Sequence, residues 1–177
     1  MMGVQRQGIW WTMLLLVVFL TGCASGHLRS DDLYPDEPSF RIADDAEIED
    51  TAENREILDM LYRYRQALVG KDFGTLNRLI STSYYENAGT THTTSDDYGY
   101  EQLSEVFEMM AEYAEEIRYH VIIQDVVVRN NQAHIDFEFE FAFQYRIADQ
   151  EVWDAGVDVN RMEFLREGDV WRIISGM

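Results

Sequence analysis

The sequence predicts an α+β domain with its helices first and its sheet last, and the prediction rests on a change of period. Between about residues 50 and 117 apolar side chains recur at helical spacing, whereas from Tyr119 onward they alternate with polar ones every second residue. Turn chemistry at Asn130-Asn131-Gln132 and Glu167-Gly168-Asp169 divides only the second region.

The chain opens on a short apolar stretch. Arg6 is the single charge in residues 1–22, and an apolar core runs from Ile9 to Leu20, the layout of a secretory signal. The core falls short of the ~20 apolar residues that a membrane-spanning helix needs, and Gly22, Ser25, Gly26 and His27 follow at once. Leu20-Thr21-Gly22-Cys23 closes the run and holds the only cysteine of the chain. It resembles a bacterial lipobox, in which the thiol receives a diacylglyceryl group and the cysteine becomes the first residue after cleavage. The expectation is a lipoprotein signal peptide over 1–22 and lipidation at Cys23. An uncleaved span and a plain secretory signal are the alternatives. Chemistry favours the lipid, because a lone thiol in an oxidising compartment has no disulfide partner and acylation removes it. Ala24 and Ser25 follow the cysteine where an aspartate would imply retention at the inner membrane. The resemblance therefore points to the outer membrane, facing the periplasm.

Residues 23–49 read as an acidic flexible tether. Asp31, Asp32, Asp36, Glu37, Asp44 and Asp45 crowd around Pro35 and Pro38 with few apolar side chains, too little to offset the entropy of ordering. As a coil such a tether reaches roughly 30 Å. Tyr34, Phe40 and Ile42 either dock on the domain or are scattered.

The domain then runs from 50 to 177. Asp50-Thr51-Ala52-Glu53 is a capping-box pattern in which Asp50 accepts from the Glu53 N–H. Ile57, Leu61, Tyr64 and Leu68 form one helical stripe that stops at Gly70. Asp72 caps a shorter helix carrying Phe73, Leu76, Leu79 and Ile80. After a loop to about Tyr98 a third helix places Leu103, Val106, Phe107, Met110, Ala114 and Ile117 on one face and Glu101, Glu105, Glu108 and Glu112 on the other. The acidic face reads first as solvated and second as a docking stripe for a basic envelope protein. Strands follow over 119–129, 133–147, 152–166 and 170–175. On the second of them Ile135, Phe137, Phe139, Phe141, Phe143 and Tyr145 take one face, and His134, Asp136, Glu138, Glu140, Gln144 and Arg146 the other.

This order of elements carries a resemblance. Tyr62-Arg63-Tyr64-Arg65-Gln66-Ala67-Leu68 with Asp72-Phe73 and Leu76, then Tyr84-Tyr85, then Arg166-Glu167-Gly168-Asp169-Val170-Trp171-Arg172-Ile173 resemble the nuclear transport factor 2-like superfamily, on its ketosteroid-isomerase and polyketide-cyclase-like side. The resemblance implies a cone-shaped domain: three N-terminal helices packed on a curved antiparallel sheet, with an open end that often holds an apolar ligand. That fold serves enzymes, binding modules and assembly domains alike. Family enzymes set a carboxylate or histidine on the inner wall as general base. The catalytic candidates here are Asp125 and His120, with Glu163 behind them, and the ligand-binding candidates are Tyr84, Tyr85, His92 and Trp153. Each has a plainer reading: a strand bulge for Asp125, a loop position for His92, core or rim packing for the aromatics. The phenylalanines are expected to fill the cone and leave little room.

A net charge of −19 repels phosphate backbones and anionic lipid surfaces, so nucleic acid is not an expected partner. The four histidines show no metal-ligand spacing, and neither a glycine-rich phosphate cradle nor a Gly-x-Ser-x-Gly elbow occurs. No metal and no cofactor is implied. The expectation is a membrane-anchored lipoprotein whose cone binds a small apolar ligand or an envelope partner without catalysis. The alternatives are an isomerase, dehydratase or cyclase-like enzyme, and a homodimeric scaffold built on the outer sheet face.

Overall fold

The computed structural model describes residues 26–87, 95–147 and 150–177. The lipobox with Cys23, and His92, lie outside them. In chain order the elements are α1 (Ser30–Leu33), β1 (Phe40–Ile42), α2 (Ala52–Val69), α3 (Phe73–Leu79), β2 (Tyr85–Glu86), β3 (Tyr98–Gly99), α4 (Tyr100–Tyr113), β4 (Ala114–Arg129), β5 (Gln132–Ile147), β6 (Gln150–Glu167) and β7 (Val170–Ser175). The main sheet has the order β1-β4-β5-β6-β7, and β2-β3 form a small second ribbon.

α2 buries the stripe that its periodicity announces: Ile57, Leu58 and Leu61 are fully buried, each stabilising by about 1.5–3 kcal/mol. Its cap differs from the expected one. Thr51, not Asp50, accepts from Asn54 N–H at 3.1 Å, because Asp50 is held by Arg55 through two contacts at 2.6 and 2.9 Å. Asp72 caps α3 by accepting from Thr75 N–H at 2.9 Å. The third helix of the sequence reading, α4, stops at Tyr113. Ala114 and Ile117 belong to β4, opposite Tyr145 and Phe143 of β5, where ladder hydrogen bonds and burial of Ile117 outweigh its helical phase.

The sheet is mixed rather than antiparallel, and the reason lies in the segment read as a flexible tether. From Gly26 onward that segment is docked. β1 adds parallel to β4, with Phe40 opposite Val121 and Ile42 opposite Ile123. Leu28, Phe40, Ile42, Ala46 and Ile48 are all buried, while the intervening acids face outward. Tyr34 stacks on Tyr62 at 4.0 Å and meets Phe40 edge-on at 5.1 Å, and burial pushes its hydroxyl pKa up to about 12. Glu37 accepts from Gln66 at 2.8 Å and faces the buried Arg65 at 3.5 Å. Composition misled here because the acids are numerous, yet the few apolar residues are spaced to bury one side and to close the exposed edge of β4.

β4, β5 and β6 are long, and β7 pairs only the last part of β6, Glu163–Glu167. The helices cover the inner sheet face around Ile123, Ile135, Phe137, Met162 and Phe164, all at most 1% exposed. Toward Phe143 and Tyr145 that cover thins and the same face becomes half-exposed.

Candidate functional site

A cavity of about 490 Å³ opens between α4 and the inner face of β5. The sheet contributes Tyr119, Phe139, Phe141, Phe143 and Asn160; α4 contributes Gln102, Leu103, Val106, Phe107 and Met110; Tyr64 and Leu68 reach in from α2. On the helices these are residues three or four apart, which puts them on one face. On β5 they are alternate residues, which does the same.

The expected filling of the cone by phenylalanines does not occur. Phe139, Phe141 and Phe143 contact one another along the strand in tilted pairs at 5.9 and 5.5 Å and form one wall of the space. Gly156 is opposite Phe141 on β6, and a Cβ there would sit 3.0 and 3.1 Å from the Phe141 ring. The missing side chain lets the ring lie down on the β6 backbone and keeps the groove open.

The polar groups at the groove are mainly tyrosines. Tyr64 and Tyr119 cross edge-on at 6.1 Å. Burial drives both pKa values far up. Tyr98 is raised for the same reason and donates to the Met177 carbonyl at 2.6 Å. Asn160 donates to Gly176 O at 2.8 Å. These hydroxyls therefore stay protonated across the working pH range and are unfit to accept a proton as a base; the Tyr98 proton is already given to Met177, but a neutral hydroxyl oxygen can still accept a hydrogen bond from a ligand hydroxyl. Among the described residues lining the groove no side chain is a carboxylate, histidine or lysine. Behind the wall, Arg65 Nε donates to Tyr119 O at 2.7 Å and fixes the strand that carries the Tyr119 ring.

The residues singled out from the sequence fall elsewhere. Asp125 is exposed at a β4 bulge, opposite Asp136 on the outer sheet face, and its carboxylate accepts from Val126 N–H at 2.8 Å. His120 is also on the outer face, 3.9 Å from Glu140. Glu163 is exposed and accepts from Ser175 at 3.2 Å. Tyr84 is buried, with its hydroxyl accepting from Met177 N–H at 3.0 Å, so it supports the groove floor rather than lining it. Tyr85 is exposed and donates to Asp97. Trp153 lies on the outer face under Arg118, at 5.1 Å. None of these lines the groove. The lining tyrosines and the α4 face were visible only as core stripes, and nothing in the sequence marked Gly156 as the residue that keeps the space open. Among the described residues no group of acidic, histidine or cysteine side chains is arranged to hold a metal, and no helix is long and apolar enough to cross a membrane.

Comparison with solved structures places this geometry in a class. A conserved protein from Planctomyces limnophilus superposes with a TM-score of 0.59 at 14% identity, over 71% of this chain and 98% of its own. A candidate dehydratase from the NTF2-like family of Streptomyces avermitilis gives 0.55 at 14% identity, over 68% and 91%. A candidate aromatic ring hydroxylase from Novosphingobium aromaticivorans gives 0.55 at 12% identity, over 72% and 95%. No protein-family model and no curated protein sequence matches the chain. The fold is nuclear transport factor 2-like. At these identities the likeness concerns the fold alone, which accommodates both enzymes and binding proteins.

Proposed function

We propose that this chain is a lipid-anchored envelope protein whose groove binds a small, elongated apolar ligand carrying one hydrogen-bonding oxygen, without turning it over. The observation that carries the binding reading is the open groove itself: apolar walls, tyrosine hydroxyls held protonated by burial, and no acidic or basic side chain among its described lining residues. Ligand sites commonly combine such an apolar concavity with a few placed polar groups. The anchor reading rests on the Leu20-Thr21-Gly22-Cys23 pattern after an apolar run. The outer membrane is the proposed host, in line with Ala24 and Ser25.

The enzyme reading draws on the names of the candidate dehydratase and hydroxylase among the structural neighbours. It needs a general base that no side chain of the groove's described lining offers. A scaffold reading draws on the outer sheet face, where Val157 and Val159 are exposed beside the Arg161–Asp136 pair at 2.6 Å.

Mass spectrometry of small molecules retained by the detergent-extracted protein and by its Cys23→Ala form tests the proposal. One molecule per chain, retained in both forms and lost in Val106→Arg, is the expected result. A product released at a mass different from an added ligand would turn the reading toward an enzyme. Cys23→Ala is expected to leave the membrane fraction; equal membrane association would overturn the anchor.

A further inference from the structure

The docked N-terminal segment determines more than attachment: it sets which way an anchored domain stands. We infer that the domain turns the β4–β5 hairpin end toward the bilayer and holds its groove on the far half, roughly 20–35 Å along α2 and β5 from that end, so that ligand enters from the aqueous compartment and not from the anchoring leaflet. This rests on the lipid-anchor reading and adds an orientation to it.

The first observation is how few residues separate Cys23 from the docked backbone at Gly26. Gly26 O accepts from Asp50 N–H at 2.8 Å, Leu28 N–H donates to Ile48 O at 2.8 Å, and His27 bridges Glu49. Ala24 and Ser25 alone lie between Cys23 and Gly26, and three Cα–Cα steps reach at most about 11 Å. A lipid on Cys23 therefore holds Gly26 close to the headgroups, where a free tether would have let the domain tumble.

The second observation is where Gly26 sits. Its partner Asp50 stands between Glu49 and Thr51, which share one cleft with Val126, Val127, Val128 and Asn130, at the end of β4 and the turn into β5. Two rulers run from this end to the groove. α2 starts there at Ala52 and delivers Leu68 to the groove wall, about 24 Å away at 1.5 Å per residue. β5 starts there at Gln132 and delivers Phe143, roughly 35 Å away at 3.3 Å per residue. Helix and strand agree that the groove belongs to the opposite half of the domain.

Charge opposes insertion of the anchored end. Glu47, Glu49 and Glu53 lie at the anchored end, and their repulsion from anionic lipid keeps the contact hydrated.

The test uses the full lipidated chain, purified in detergent and reconstituted into vesicles of phosphatidylethanolamine and phosphatidylglycerol containing a headgroup-labelled acceptor lipid. Because acylation would cap the only native thiol, Asn131→Cys at the hairpin end and Glu105→Cys beside the groove each accept a single donor dye. The expected result is strong energy transfer at Asn131→Cys and several-fold weaker transfer at Glu105→Cys. Equal transfer at both, or the reverse order, in protein that floats with the vesicles overturns the orientation while leaving the anchor intact. Protein that does not float, or whose mass lacks an attached lipid, overturns the anchor reading and the orientation with it. Unaltered melting of both variants excludes a folding artefact.

Discussion

The two ends of β5 carry the same pattern and meet different fates. Ile135 and Phe137 lie at or below 1% exposed, sealed under the helices. Phe139, Phe141 and Phe143 continue the alternation on the same face, yet remain partly exposed along the groove, with Tyr145 partly exposed beyond it. Nothing in the strand distinguishes the two halves. What differs is the cover: α2 lies directly over the first half, whereas over the second α4 stands off the sheet and leaves a cavity. One strand thus serves as core at one end and as binding wall at the other.

The largest effect expected from breaking this contrast is at the sealed end. Phe137→Ala should cost about 3–5 kcal/mol through lost transfer energy and an unfilled cavity, read as a lowered midpoint in urea unfolding. Phe141→Ala should cost less than half as much, because its ring is already partly wet, but should weaken binding of a neutral apolar dye by at least severalfold. Equal losses of stability at the two sites would erase the distinction.

The docked segment gives the next effect. Glu37→Ala removes the carboxylate facing Arg65, whose side chain is only 7% exposed, and an uncompensated buried charge should cost about 1–3 kcal/mol. Arg65 also fixes Tyr119 through its backbone, so dye binding should fall as well. A stability loss with binding untouched would separate the segment from the groove.

Acid should act mainly through the pairs on the surface. Asp136 lies below the usual carboxylate range because Arg161 hydrogen-bonds it, and Glu115 does so because of Arg146. A depressed folded-state value adds stability above the unfolded value and loses it as pH falls through the folded one. Thermal midpoints should therefore drop below about pH 4. From pH 8 down to about 5 they should instead hold or rise, as the net charge of −19 is partly titrated. Asp136→Asn should flatten the acid limb.

The smallest expected change in stability, under about 1 kcal/mol, is that of Gly156→Ala, where gained strand propensity offsets crowding of the Phe141 ring. Its effect on the groove is larger, since the ring must move into the space a ligand would occupy. Unchanged dye affinity in this variant would remove Gly156 from the account of why the groove is open.

Much of the fold was legible in residues. The stripe Ile57, Leu61, Tyr64, Leu68 announced α2, and the alternation from Ile135 to Tyr145 announced β5, because both faces are set by local geometry. The site was legible only in fragments. Tyr64, Tyr119 and the α4 face come together across more than fifty residues of chain, and a stripe that lines a groove looks identical to one that fills a core. Asp125 and His120 looked interesting because they interrupt apolar strands, but strand parity sends His120 to the outer face, and the β4 bulge between Ile123 and Asp125 turns Asp125 there as well. The N-terminal segment was misread because composition averages over acids that face water and overlooks five apolar residues that do not.

By itself the sequence determined periods, caps, turns and a strongly negative charge, all of which depend on neighbours within a few residues. Tertiary structure alone decided that Leu28–Ile48 dock on β4, that Gly156 lies beneath Phe141, and that α4 stands off the sheet. Those outcomes depend on which surfaces meet across the chain and on how much space their side chains leave, and no local pattern encodes that.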